Sequence, residues 1–251
     1  MPAISAIYRY PVKSLSGERL ARSEVHAGRP LPNDRRFAIA PGGSRFDPGQ
    51  PAWQPKASFL TLVRNPRMGK LKTTFDDASD TLSIERDGRE VARGKLSDPV
   101  GRAVIEQFLA AYMGQEARGR ATVAIGPDLA FTDMAEPYVS LIGMASLRDL
   151  ERVTRAPVDP LRFRANIYFE DAPAWAEFGW VGRDIEINGI PFRVEQRITR
   201  CAATELDPQS GERDMAVLAN LRNGFGHMQM GVYARALGDG AIAIGDAIAG
   251  P

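Results

Sequence analysis

Short apolar runs broken by turn residues mark the first hundred positions. Ile4 to Tyr10 is rich in β-branched and aromatic side chains and predicts a strand. Pro11 holds Tyr10 extended and Gly17 closes the loop, so Lys13 and Ser14 fall on a bend. Further strands are predicted at Leu20 to Val25, Phe37 to Ala40, Phe59 to Val63, Leu71 to Phe75 and Thr81 to Glu85. Asp87-Gly88 is a hairpin turn before Glu90-Val91. Residues 41 to 57 form a Gly- and Pro-rich loop, long enough to suggest a functional lid. This half reads as a small barrel or sandwich.

The period then changes. Asp98-Pro99 is a cap followed by proline at the first helical position. Ile105, Phe108, Leu109 and Tyr112 follow at helical spacing and form a core stripe. The polar link Gly114 to Arg120 is the candidate boundary, giving domains 1–117 and 118–251. Strands are predicted at Ala121 to Ile125 and Tyr138 to Ile142, with Ser146 capping a short helix. Leu161 to Phe169 reads as a strand with Arg162, Arg164 and Asn166 on one face. That face is either solvated or an anion clamp. Ala174 to Gly182 is an aromatic loop, and Asn188-Gly189 turns a hairpin over Asp184 to Val194. Asp214 to Leu221 predicts a helix, and Met228 to Ala236 with Ala241 to Ile244 a closing hairpin. The whole is mostly β with a few helices, an α+β chain.

Composition narrows the function. The formal net charge is +1, with acids and bases interspersed, so no broad field favours nucleic acid or an anionic membrane. No apolar run approaches the roughly 18 residues of a membrane span, and Met1 to Tyr10 lacks a signal-peptide pattern. The expectation is a cytoplasmic protein. Its one cysteine excludes an internal disulfide framework, and its two histidines argue against an all-histidine metal site.

That cysteine sits in Arg197-Ile198-Thr199-Arg200-Cys201, at the end of the predicted hairpin strand. The turn Asp207-Pro208-Gln209-Ser210-Gly211 follows it. Neighbouring guanidinium groups favour a thiolate, the soft donor that molybdenum, copper(I) and zinc prefer. A small buried hydrophobe is the competing reading. On spacing alone the two stand level.

Tyr-Pro-Val-Lys-Ser at 10–14, Asp-Arg at 34–35, Phe-Arg-Ala-Asn at 163–166 and Arg-Cys-x-x-Thr-x-x-Asp-Pro-x-x-Gly at 200–211 occur in this order, followed by Gly-x-Ile-x-x-Gly-Asp at 240–246. In this the chain resembles the MOSC family, named for the C-terminal domain of molybdenum cofactor sulfurase. It is most similar to members that pair an N-terminal MOSC β-barrel with the MOSC domain, among them the mitochondrial amidoxime reducing component. The resemblance implies a small β-barrel-like N-terminal domain and a MOSC β-barrel binding a molybdenum–pyranopterin dithiolene. It implies Cys201 as the metal ligand, with Thr199 and Arg200 beside it. It implies Lys13, Ser14, Arg35 and Arg164 at the cofactor's phosphate and pterin, and Asp207 as a carboxylate near the metal.

The implied reaction is reduction of small N-oxygenated compounds, such as hydroxylamines, N-hydroxylated bases or amidoximes. Electrons would come from a separate iron–sulfur, flavin or haem protein, since one cysteine cannot hold a cluster. The loop around Trp53 lacks the arginine that relatives often place there. Two rival readings use the same thiol: a sulfur carrier with a Cys201 persulfide, or a non-catalytic cofactor carrier.

Overall fold

The computed structural model describes residues 1–126 and 129–251. The first strands are β1 (Ala3–Arg9), β2 (Glu18–Leu20), β3 (Arg22–Val25) and β4 (Phe37–Ala40). After them come β5 (Lys72–Asp76), β6 (Thr81–Arg86) and β7 (Arg89–Lys95), then helix α1 (Pro99–Met113). The later elements are β8 (Thr122–Ile125), β9 (Val139–Gly143), α2 (Met144–Thr154), β10 (Ile167–Glu170), β11 (Asp184–Ile187) and β12 (Ile190–Thr199). Helix α3 (Val217–Phe225) and strands β13 (Gln229–Ala236), β14 (Gly240–Ala243) and β15 (Ile248–Ala249) complete the chain. The chain is mostly β, as the turn-punctuated pattern predicts.

Local turn chemistry succeeds where it decides the backbone. Asn188 and Gly189 have φ of 50° and 76°, and Asp87 and Gly88 have 53° and 73°. Positive φ at both central residues is what a tight two-residue hairpin needs. At α1, the Asp98 side chain accepts from the Gly101 N–H at 2.9 Å, with Pro99 at the first position. Ile105, Leu109 and Met113 turn inward with Val12, Phe37, Ile39, Leu82 and Ile84 into one core.

Pairing across the chain was not legible. One eight-stranded sheet has the order β15-β11-β12-β13-β9-β10-β1-β2. So β1, the first strand, pairs with β10 from the second half. β3 pairs with β14 and β4 with β8, while β5, β6 and β7 form a sheet from first-half residues alone. β9 and β10 run parallel, and α2 is the crossover that parallel strands require. This weaving puts the Lys13 bend, directly after β1, next to segments more than a hundred residues later.

The expected strand Leu161 to Phe169 begins only at Ile167, and three further expectations fail. β13 and β14 do not form a hairpin, because β13 is central between β12 and β9 and has no free edge. Phe59 to Val63 is not a strand. The Asn65 side chain accepts from the Thr61 N–H at 3.0 Å and the Asn65 N–H donates to the Thr61 carbonyl at 2.7 Å, folding it into a turn. Ser146 does not cap α2, whose N-cap is Gly143.

Ser146 is fully buried, and its hydroxyl lies 2.9 Å from both carboxylate oxygens of Glu177, also fully buried. Burial pushes the Glu177 pKa up, more than the Ser146 and Gly143 hydrogen bonds pull it down. A raised acid contributes stability that is complete below the ordinary carboxyl range and is lost as pH rises through the raised value. We expect Glu177→Gln to flatten that slope: the wild-type urea midpoint should fall relative to the variant's as pH rises above the ordinary carboxyl range. Parallel pH curves for the two proteins would contradict the assignment.

Candidate functional site

β12 delivers Cys201. The Arg200 N–H donates to the Met228 carbonyl at 2.8 Å, and extended backbone at Cys201 leads into a 3-10 turn, Ala202–Glu205. The Thr204 N–H and hydroxyl both donate to the Cys201 carbonyl at 3.0 Å. The expected turn closes behind it: the Gly211 N–H donates to the Asp207 carbonyl at 2.8 Å, with Gly211 at φ 71°. Gly211 lies on Gly69, where a β-carbon would come within 2.8 Å of the backbone. The glycine contact locks the loop after the cysteine onto the first half of the chain.

Cys201, part-buried, lines a chamber of about 150 Å³. Lys13, Ser14, Arg35, Arg164, Thr199 and Arg200 line it too, so seven of the eight residues singled out from sequence meet here. Asp207 does not. It faces an adjoining chamber, and its carboxylate accepts from the Gln209 N–H at 2.6 Å. Sequence reading missed Lys56, Asp133 and Tyr233 in the wall, while Arg162 and Asn166, noted beside Arg164, line it too. Lys56 lies on the 41–57 loop, where Trp53 Nε1 donates to the Thr132 carbonyl at 3.2 Å and holds the loop to the wall. The loop signal was visible; the lysine's direction was not.

Arg162 and Arg164 do not alternate on a strand. Pro160–Phe163 is a 3-10 turn, and Arg164 follows it at φ 52°. Ser14 and Arg35 are likewise left-handed, at 69° and 51°. Each such non-glycine residue carries backbone strain of order 1–3 kcal/mol, which the surrounding structure must hold. Three of them share this one wall.

Six cationic residues line the chamber, and the four singled out from sequence, Lys13, Arg35, Arg164 and Arg200, divide into two kinds. Lys13 Nζ lies 2.6 Å from Asp133 Oδ1 and 2.9 Å from the Phe131 carbonyl. Arg35 Nη1 lies 2.7 and 2.6 Å from the two oxygens of buried Asp34. These two charges are neutralised in place. Arg200 instead donates only to carbonyls, those of Met230 at 2.8 and 2.6 Å and Phe163 at 2.9 Å. Arg164 donates through Nη1 to the Leu15 carbonyl at 2.7 Å, while its buried Nη2 has no partner among the described residues. Arg35 and Arg164 each stand 4.3 Å from the centre of the Tyr10 ring. Burial, reinforced by the charge of Arg35, brings the Arg164 pKa down to about 10. Burial lowers Arg200 as well. Burial pushes the Tyr10 hydroxyl up to about 12. Burial would raise Asp133, but Lys13 and Lys56 outweigh it and hold the carboxyl below its usual range.

The family model described as MOSC N-terminal beta barrel domain matches residues 1–123, and that described as MOSC domain matches 127–249. The chain belongs to the MOSC family. A molybdenum cofactor sulfurase of Caenorhabditis elegans is 26% identical to this MOSC chain over 249 residues, covering 93% of the chain and 33% of that protein. One from Caenorhabditis briggsae is 23% identical over 256 residues, with 94% and 34% covered. The MOSC chain thus spans about a third of the length of these curated relatives. The solved YuaD protein from Bacillus subtilis aligns over 99% of the chain and 94% of its own, at 12% identity and a TM-score of 0.46.

Proposed function

We propose that the Cys201 chamber holds a molybdenum–pyranopterin dithiolene and that the chain is an oxidoreductase for small N-oxygenated compounds. The observation that carries this reading is the charge pattern: two part-buried guanidinium groups without an acid, Arg164 and Arg200, share a chamber with the chain's one thiol. Cations out of water call for a counter-anion, and Arg164 Nη2 is a donor still to be matched. Among the described residues no three His, Cys, Asp or Glu are grouped to hold a metal ion. A metal here would therefore need to bring ligands with it, which fits a chelated one with Cys201 as the single soft protein donor.

When bound, such a group supplies two-electron chemistry that takes oxygen from an N–O bond. The chain's own part is to bind and orient. Arg164, Ser14 and Lys13 would face the phosphate and pterin, with Asp133 giving up part of its hold on Lys13. Arg35, fixed by Asp34, keeps Arg164 in place by donating from Nη2 to its carbonyl at 2.7 Å. Thr199 and Arg200 set the approach to Cys201. Burial raises the Tyr233 pKa, so its hydroxyl stays protonated at the chamber wall and can donate there. Asp207 fixes the turn behind the cysteine. Electrons would come from a separate iron–sulfur, flavin or haem protein in the cytoplasm. No helix among the described residues is long and apolar enough to cross a membrane.

A second reading, transfer of sulfur through a Cys201 persulfide, is favoured by the sulfurase names of the relatives. Elemental analysis after expression in a cofactor-producing host tests both. We expect close to one molybdenum per chain and turnover of a hydroxylamine or amidoxime with an artificial reductant. No metal, together with a sulfane sulfur on Cys201 by mass spectrometry, would replace the reductase with the carrier.

A further inference from the structure

Past β12 the chain leaves the sheet just before its thiol. The last pair with β13 is Thr199 with Gln229, followed by the bond from the Arg200 N–H to the Met228 carbonyl. Cys201 and the turn Ala202–Glu205 lie beyond that ladder. The bonds from Thr204 to the Cys201 carbonyl are internal to the turn, so they set its shape and not its distance from the facing wall. That wall comes from the first half of the chain and includes Thr61, Leu62 and Val63.

The Arg213 side chain joins the two. Its Nη1 donates to the Ala202 carbonyl at 2.8 Å, the peptide oxygen directly after the thiol's residue. Its Nη2 donates to the Val63 carbonyl at 3.1 Å, 150 positions away in sequence. Glu205 Oε2, 3.2 Å from Nη1, holds the guanidinium from within the turn. The backbone beneath is fixed as well: Arg213 bridges to Leu206, and the Asp214 N–H donates to the Glu205 carbonyl at 3.2 Å. A planar guanidinium has its donors in a rigid fork, so two carbonyls bound to it are held at one separation. A lysine ammonium, a point charge on a flexible stem, sets no such separation.

We propose that Arg213 is a positioning residue for Cys201: its guanidinium fork fixes the turn that carries the thiol against the Val63 segment of the first half. Arg213 does not line the chamber, and it acts through the peptide after Cys201. The proposal deepens the function proposed above and rests on Cys201 as the chamber's reactive group.

Alkylation of the metal-free protein by iodoacetamide tests this without the cofactor, and with one cysteine in the chain the label reports Cys201 alone. The rate is read at alkaline pH, where thiolate is plentiful and access sets the differences. Arg213→Ala should react about fivefold faster than the wild type, the factor by which one lost net hydrogen bond raises the population of the opened turn. Arg213→Lys keeps the charge without the fork and should stay close to the alanine variant. Lys70→Ala removes the exposed Lys70–Glu212 ion pair of the same loop, 2.6 Å long, and should react as the wild type does. Urea midpoints of the four proteins should agree. A wild-type rate in either Arg213 variant overturns the proposal. So does a Lys70→Ala rate as high as that of Arg213→Ala, or a faster rate that only follows a fallen urea midpoint. Both Arg213 variants should also retain less molybdenum than a loaded wild type, and full retention in them counts against the proposal in the same way. If the wild type itself carries no molybdenum, the reductase reading fails while the alkylation rates still decide the role of Arg213.

Discussion

Cys201→Ser is expected to fold normally and to lose its molybdenum. The sulfur makes no hydrogen bond among the described residues: the bonds that fix this corner run through the Cys201 carbonyl, to the Thr204 N–H and hydroxyl, and through the Arg200 N–H. Serine is close in size and keeps all three. What it removes is the soft, ionisable donor, and a hydroxyl is harder and far less acidic. Elemental analysis should find less than about a tenth of the wild-type metal, a difference of at least 1.4 kcal/mol in retention. Thermal unfolding of the two metal-free proteins should agree within the roughly ±0.5 kcal/mol typical of a change that removes no packing. Full metal occupancy in the serine variant would remove Cys201 from the ligand set, and with it the argument that the chamber is built for a chelated soft metal.

Asp34→Ala carries the largest expected loss of stability. Asp34 is 2% exposed, and three donor contacts converge on it: Arg35 Nη1 on both oxygens and the Tyr10 N–H at 2.8 Å. Removing the carboxylate leaves Arg35 without an ion pair, beside the same Tyr10 ring as Arg164, which has no ion pair among the described residues either. Breaking a buried pair in this way costs about 3–5 kcal/mol, because the remaining charge stays out of water. Urea denaturation should show that loss. Asp34→Asn should lose less, since an amide oxygen can still accept from Tyr10. A loss under about 1 kcal/mol would mean that Arg35 finds water or another acceptor, and the wall would not be held as described. The damage should also reach the cofactor, because Arg35 positions Arg164 through the Arg164 carbonyl.

Both predictions depend on residues far apart in sequence, and this marks the limit of what could be read from it. The hairpin turns at Asp87-Gly88 and Asn188-Gly189, the cap at Asp98 and the turn after Cys201 were legible because a few adjacent residues decide them through φ and one hydrogen bond. The site residues were legible as types: a thiol preceded by two arginines, a lysine on a bend, and arginines grouped near an asparagine. Their charge states were not. Lys13 looked like a free anion clamp, yet Asp133, 120 positions away, already holds it. Asp207 looked like a group at the metal, yet its own turn consumes its carboxylate.

The sequence by itself determined the β-rich class, the local turns and the residue types at the thiol, because these depend on near neighbours. The tertiary structure decided which strands pair, which cations keep their charge and which walls the arginines form. Pairing and neutralisation are set by groups that only meet when β1 lies beside β10 and β12 beside β13. An isolated ion in sequence has no dielectric and no partner; folding supplies both, and the electrostatics of the site follows from them.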